Sequence, residues 1–168
     1  MKWNKKFIYP TSTRALINGK RHYDVGTEEK LPSVTTILSA TQSEEKKQSL
    51  ANWQARMGKQ NADRIRDISA MRGTSMHTYL EGYIKDERHL DLTALGQEAG
   101  RMADVVIRSG LGDLEEVWGT EVTLYYPGLY AGATDVVGIY NGRESIIDFK
   151  QTNKPKQREW IDDYFTQL

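Results

Sequence analysis

The chain has 168 residues, with 23 Lys or Arg against 23 Asp or Glu and no cysteine, so it is long enough for one domain with a hydrophobic core but offers neither disulfides nor thiolate metal ligands. The balanced charge gives no overall signal for nucleic-acid binding. No apolar run approaches the roughly 20 residues that span a bilayer, and no apolar segment follows the basic N-terminus, so we expect a soluble intracellular protein without a signal peptide.

The first part of the chain predicts a small hairpin followed by two capped helices. Asn18-Gly19 lies between two strand-like segments within residues 1–30, and Asn-Gly is the pair that a type I′ turn prefers. Ser33 is placed to cap a short helix and Ser43 to cap a longer one, because a serine side chain can accept a hydrogen bond from the first helical turn.

Helical spacing continues through most of the next segment. We expect the helix that begins at Ser43 to end at about Met71, because Arg72-Gly73-Thr74 reads as an interruption, with Thr74 as the cap of a further helix. The two helices expected after this interruption cover about 75–86 and 93–109.

Three antiparallel strands follow, and the chain then returns to a helix. Pro127-Gly128 and Asn141-Gly142 are the expected turns of this meander, and helical spacing resumes at about Arg158. Because helices precede and follow the sheet, we predict an α+β domain in which helices pack on a three-stranded antiparallel sheet.

The second Asn-Gly turn brings two carboxylates together. A two-residue turn sets Tyr140 opposite Arg143, and counting outward places Asp135 opposite Asp148, with Cβ atoms about 4.5–5.5 Å apart. Two bare carboxylates at roughly 5 Å repel by about 3 kcal/mol at an effective dielectric constant near 20, so we expect a positive charge between them. Lys150 leaves the same strand face as Asp148 and would offset one acid, as in a structural Asp–Lys pair. A divalent cation would serve both acids, and oxygen ligands favour Mg²⁺ or Mn²⁺ over zinc.

Charge is unevenly distributed along the balanced sequence. Lysine and arginine dominate residues 46–72 and 150–158, whereas acids dominate residues 81–121. A basic surface beside an acidic metal pocket would suit a polyanionic substrate. Solvated, charge-mixed helix surfaces are the alternative.

Several segments, taken in order, resemble the PD-(D/E)XK nuclease superfamily. They are Gly73-Thr74-Ser75-Met76-His77 with Glu81, Gly132-Ala133-Thr134-Asp135, and Asp148-Phe149-Lys150. The His77 helix and the late Gln167 are similar to the RecB-like exonuclease branch, which includes phage-encoded enzymes and the mitochondrial genome maintenance exonucleases. The resemblance covers about residues 31–168 and implies a restriction-endonuclease-like fold.

The resemblance also bears on the domain boundaries. We interpret 1–168 as a single nuclease domain, made of an N-terminal hairpin extension (1–30), a helical part (31–110), a catalytic sheet (115–150) and the start of a closing helix (156–168). The family's Gln-x-x-x-Tyr motif needs a tyrosine beyond Gln167, whereas the sequence ends at Leu168. We therefore expect a core that is incomplete at its C-terminus in a fragment of a longer protein; a trimmed domain is the alternative.

The resemblance implies a metal-dependent deoxyribonuclease, an exonuclease acting on single-stranded or end-containing DNA in phage-type replication, recombination or repair. The residues that match the catalytic positions are Lys150, Asp135 and Asp148. The implied ligands of Mg²⁺ or Mn²⁺ are His77, Asp135, Asp148, the backbone carbonyl of Phe149 and, as an auxiliary acid, Glu121. The implied DNA contacts are Gln167, Thr152, Lys154, Lys156 and Arg72. The implied setting is the cytoplasm of a phage or bacterial host cell, with replication or recombination proteins as partners.

Several of these interpretations have alternatives. A non-catalytic nucleic-acid-binding module on the same fold is the alternative to an enzyme. Glu81 lies one helical turn from His77 and would either orient that ring or simply face solvent. The aromatic residues Trp53, Trp160 and Tyr164 would either stack on bases or belong to the core. The family commonly has Thr-Ser after the motif lysine, where this chain has Gln151-Thr152.

Overall fold

A computed structural model describes residues 1–153, 156–158 and 161–167 of the chain. Two compact units are present, which we call the sheet unit (1–41 and 113–168) and the helical unit (42–112). The predicted α+β class is confirmed, since both mixed sheets and helices form. Within the described part of the chain, no helix combines the length and apolar character needed to cross a membrane.

The main sheet of the sheet unit has four strands in the order β1-β5-β6-β7. These strands are β1 (Lys2–Trp3), β5 (Leu114–Tyr126), β6 (Tyr130–Tyr140) and β7 (Arg143–Ile147). The predicted antiparallel meander forms from β5 to β7. The prediction of three strands was incomplete, because β1 also pairs with β5 in parallel. A two-residue strand is too short to show any periodicity in the sequence.

A second, three-stranded sheet contains the predicted N-terminal hairpin. Its strands are β2 (Thr13–Ile17), β3 (Lys20–Asp24) and β4 (Leu31–Pro32). The turn residues Asn18 and Gly19 have φ angles of 51° and 73°, as a type I′ turn requires. A hydrophobic cluster of Tyr23, Val25, Leu31 and Ala131 joins this sheet to β6.

Two helices belong to the sheet unit. Helix α1 (Val34–Ala40) begins where predicted, because the Ser33 side chain accepts a hydrogen bond from the Thr36 amide at 3.0 Å. Helix α5 (Asp162–Gln167) lies near the end of the chain. The two helices contact each other, and α1 also packs against β6.

The helical unit contains α2 (Glu44–Met57), α3 (Lys59–Ile84) and α4 (Ala94–Ser109). A 3₁₀ turn at Leu111–Asp113 follows α4 along the chain. Ser43 caps α2 as predicted. The predicted interruption at Arg72-Gly73-Thr74 was wrong, because α3 runs through it without a break. Gly73 costs a helix about 1 kcal/mol relative to alanine, and burial of Met76 and Leu80 on the same helix outweighs that loss. The break lies instead at Gly58, whose φ is 76°.

Candidate active site

The β6–β7 hairpin has the predicted register, but its ladder stops one step short of the two acids. Pairing runs from Tyr140 opposite Arg143 to Val136 opposite Ile147. Asp135 and Asp148 were expected to be the next pair, and Asp148 instead lies just beyond the end of β7. The Phe149 amide donates a hydrogen bond to Asp135 Oδ2, so here a side-chain carboxylate accepts the hydrogen bond that a backbone carbonyl would accept in a continuing strand pair.

Asp148 is nearly buried and is paired with the predicted lysine. Its side chain is 10% exposed and forms an ion pair with the Lys150 ammonium group. On its other oxygen, Asp148 accepts a hydrogen bond from Gln167 Nε2 at 3.4 Å. A buried carboxylate requires such partners, because removing an unpaired charge from water is costly. Lys150 therefore supplies the expected positive charge at Asp148. This is the arrangement expected of a structural Asp–Lys pair, the alternative to a divalent cation.

Glu121 lies on β5 at the position that faces Asp135. The β5–β6 ladder pairs Thr120 with Val136 and Val122 with Thr134, and it skips the pair between them. Glu121 has a φ of 52°, a left-handed conformation that costs a non-glycine residue roughly 1–2 kcal/mol. One carboxylate oxygen of Glu121 lies within 4.8 Å of one of Asp135. A strained acid thus adjoins a second acid, a combination that is typical of functional sites.

The remaining predicted residues of the sheet unit follow Asp148 in the sequence and differ in exposure. Phe149 is 8% exposed, so its side chain belongs to the core, and its backbone amide is held beside Asp135. Thr152 is half-buried and Lys156 is exposed. Lys154 and Trp160 lie outside the described residues. Their predicted roles stay predictions.

His77 and Arg72 lie on α3 of the helical unit. His77 is half-buried. Glu81, one turn further on, pairs with Lys85 Nζ at 2.5 Å, which favours a helix-surface role for this acid over orienting His77. Arg72 is 8% exposed and pairs with Glu98 at 2.6 Å, so its charge serves the packing of α3 on α4. Nothing in these contacts tests the DNA-binding role predicted for Arg72.

Sequence reasoning missed the three tyrosines near the β5–β6 turn. Tyr125, Tyr126 and Tyr130 are 41%, 57% and 40% exposed, and with other residues of the sheet unit they line a cleft of about 180 Å³. Gln167, the hydrogen-bond donor to Asp148, lines the same cleft. The signal was present in the sequence, where tyrosines stand on both sides of Pro127-Gly128.

Comparison with known proteins connects this geometry to nucleases. No protein-family model matches the chain. The chain is similar to mitochondrial genome maintenance exonuclease 1 of the mouse, Mus musculus, with 28% identity over 131 residues. The match covers 75% of this chain and 38% of the mouse protein, so the chain spans well under half of this relative. The similarity suggests a nuclease, and together with the pair of acids it suggests a divalent metal.

Proposed function

We propose that this chain is the catalytic part of a Mg²⁺- or Mn²⁺-dependent deoxyribonuclease, an exonuclease that acts on single-stranded DNA or DNA ends. The observation that carries the proposal is the pair of carboxylates, with Glu121 and Asp135 oxygens within 4.8 Å on neighbouring strands. Similarity to a mouse exonuclease supports the assignment to DNA hydrolysis. A role in replication, recombination or repair is part of the proposal.

The acid pair fits a hard divalent cation. Two oxygens that ligate one Mg²⁺ at about 2.0–2.1 Å lie at most about 4.2 Å apart, so a small movement of the exposed Glu121 side chain would suffice. Asp148 would join them when Lys150 releases its carboxylate, and the Phe149 carbonyl is proposed as a further ligand. His77 is proposed as a ligand on the family resemblance. When bound, the cation would lower the pKa of a coordinated water and offset charge on the phosphate.

Lys150 is the residue that we assign to proton handling and charge. Its ammonium group is held by Asp148 and lies 5.8 Å from the centre of the Tyr164 ring. From this position the Lys150 ammonium group would orient the attacking water, favour loss of its proton to solvent by stabilising the hydroxide, and offset the negative charge that grows on the phosphate oxygens. Before a metal binds, Asp148 and Tyr164 hold the lysine ammonium group beside the acids, and from there it would turn toward the phosphate once Asp148 is released.

DNA contacts are proposed along the segment that follows Lys150. Thr152, Lys156 and Gln167 would contact the backbone of the strand, together with Lys154 and with the basic residues of the helical unit that include Arg72. Binding through phosphates releases counterions, so the affinity should fall steeply as salt concentration rises.

A non-catalytic nucleic-acid-binding module is the second candidate. The ion pair between Lys150 and Asp148 favours it, because this pair neutralises the buried acid without any metal. In that case DNA would bind without being cleaved.

The test is cleavage of an end-labelled oligonucleotide in Mg²⁺ or Mn²⁺ by the wild-type chain and by Lys150→Ala and Asp135→Asn. Matched controls are Lys2→Ala, at a lysine that is 77% exposed, and Asp104→Asn, at an acid paired with Arg108 on α4. We expect both site variants to lose at least about a hundredfold in rate, since general acid–base groups contribute about 10²–10⁴. Cleavage that survives both site changes and EDTA would refute the assignment, and tight binding without cleavage would support the second candidate.

A further inference from the structure

We propose that the cleft lined by Tyr125, Tyr126 and Tyr130, here the tyrosine cleft, binds a DNA base by stacking. The inference rests on the proposed function, since it names the substrate contact beside the acids. The cleft has a volume of about 180 Å³ and lies within the sheet unit.

The tyrosines present flat, accessible rings. Tyr126 and Tyr130 are directly paired across the β5–β6 ladder, and their ring centres are 6.0 Å apart with an interplanar angle of 34°. Such a cross-strand aromatic pair stabilises a hairpin, yet it leaves Tyr126 more than half exposed. Aromatic faces stack on bases of any sequence, and a phenol keeps its polar tip in water.

The floor and walls of the cleft are small or neutral. Gly132 and Ala133 of β6 form part of the lining, with Val34 and Ile146 as apolar walls. Glycine within a strand often marks a place where a ligand approaches the backbone closely. Among the described residues that line the cleft, none carries a charge. This chemistry suits the neutral face of a base and does not suit a phosphate.

The cleft adjoins Asp148 through Gln167. Gln167 lines it and donates to Asp148, and Thr134 lines it and directly precedes Asp135 in β6. The Thr134 hydroxyl also donates to the Ile147 carbonyl at 3.0 Å, which ties the cleft to the end of β7. Three strand positions separate Gly132 from Asp135, about 10 Å, which corresponds to about three stacked nucleotides at 3.4 Å each. Because Gln167 both lines the cleft and contacts Asp148, we infer that a strand with its phosphate at the acids would bring a nearby base to the tyrosines.

The experiment measures binding and cleavage separately for Tyr126→Ala, Tyr130→Ala and Tyr126→Phe. Binding of a labelled single-stranded oligonucleotide is followed by fluorescence anisotropy in EDTA, and cleavage is followed in Mn²⁺. Stacking losses predict affinities about 5- to 150-fold weaker for each alanine variant, and near wild-type affinity for Tyr126→Phe. The control Tyr83→Ala removes a 47% exposed tyrosine of α3 and should bind as the wild type does.

A scan of single abasic sites along the oligonucleotide tests stacking itself. In the wild type, an abasic site at one position of the oligonucleotide should weaken binding by about the same factor as the alanine substitutions do. The affinity of Tyr126→Ala should not change when the abasic site is at that position. Alanine variants that bind every oligonucleotide as tightly as the wild type would overturn the inference while leaving cleavage intact. If the wild type binds the oligonucleotide without cleaving it and the tyrosine variants lose binding, the proposed function is refuted and the cleft is kept as a base-binding site. If an alanine variant fails to fold, Tyr126→Leu replaces it in the binding assay. The abasic scan on the wild type then shows independently whether a base stacks in the cleft.

Discussion

Asp135→Asn should abolish stabilisation by metal while changing the metal-free stability only modestly, by no more than about 2 kcal/mol. The substitution keeps an oxygen that can accept the Phe149 amide, and it removes one of two carboxylates whose oxygens lie within 4.8 Å. Repulsion between unit charges at that separation is about 1 kcal/mol in water and about 3 kcal/mol at an effective dielectric constant near 20.

The opposing loss is of similar size. A hydrogen bond to a charged acceptor is worth about 1 kcal/mol more than one to a neutral acceptor. The two terms offset each other, so the metal-free free energy of unfolding should change by no more than about 2 kcal/mol. The wild type, by contrast, should gain about 2.7 kcal/mol when Mn²⁺ is present at a hundred times its dissociation constant. For a chain of this length that gain corresponds to about 5–11 °C in melting temperature.

The assay is thermal unfolding with increasing Mn²⁺, with the metal-induced shift compared within each protein. Asp104→Asn serves as the control, since Asp104 is paired with Arg108 on α4 and is exposed. We expect a full shift in the wild type and control and little or none in Asp135→Asn. An equal shift in all three proteins would refute the assignment of Asp135 as a ligand.

Three further predictions concern packing, pH and salt. Gly138→Ala should destabilise the chain by about 1–3 kcal/mol in urea unfolding, because its Cβ would lie 2.0 Å from the Glu116 carbonyl oxygen, whereas Gly112→Ala meets nothing within 4 Å and should be nearly neutral. Hydrogen bonds from the Asn4 amide and the Trp118 indole hold the pKa of Glu116 below its ordinary value of 4.5. The ionised Glu116 should therefore stabilise the fold above that pH, and this stabilisation should disappear as pH falls through the folded pKa. Urea unfolding between about pH 7 and 3 should show that the difference in unfolding free energy between wild type and Glu116→Gln shrinks in acid, and a constant difference would contradict the prediction. In anisotropy measurements, log affinity for DNA should fall linearly with log salt concentration, and a flat dependence would exclude binding through phosphates.

Local rules predicted the parts of the fold that depend on neighbouring residues. Asn141-Gly142 fixed the β6–β7 register, because both residues adopt the positive φ angles, 49° and 72°, that a type I′ turn needs. Ser33 and Ser43 cap their helices as expected, since a cap requires only a side-chain oxygen and the amides of the first turn.

Features that depend on distant contacts were not predictable in this way. Gly73 reads as a helix breaker, but burial along α3 outweighs its low propensity. The strand β1 pairs with β5, which is more than a hundred residues away in the sequence. At the candidate site, the turn register pointed to Asp135 and Asp148, whereas the left-handed φ of Glu121 lies at a position that the β5–β6 ladder skips, and no local pattern signals it.

The central claim, metal-dependent hydrolysis of DNA, is tested most directly by the ends of the products. The wild-type chain is incubated with a single-stranded oligonucleotide in Mn²⁺, in Mg²⁺ and in EDTA, and the products are analysed by mass spectrometry. Our account predicts cleavage in either metal, with 5′-phosphate and 3′-hydroxyl products, and no cleavage in EDTA. Intact oligonucleotide in both metals, or equal cleavage in EDTA, would contradict it.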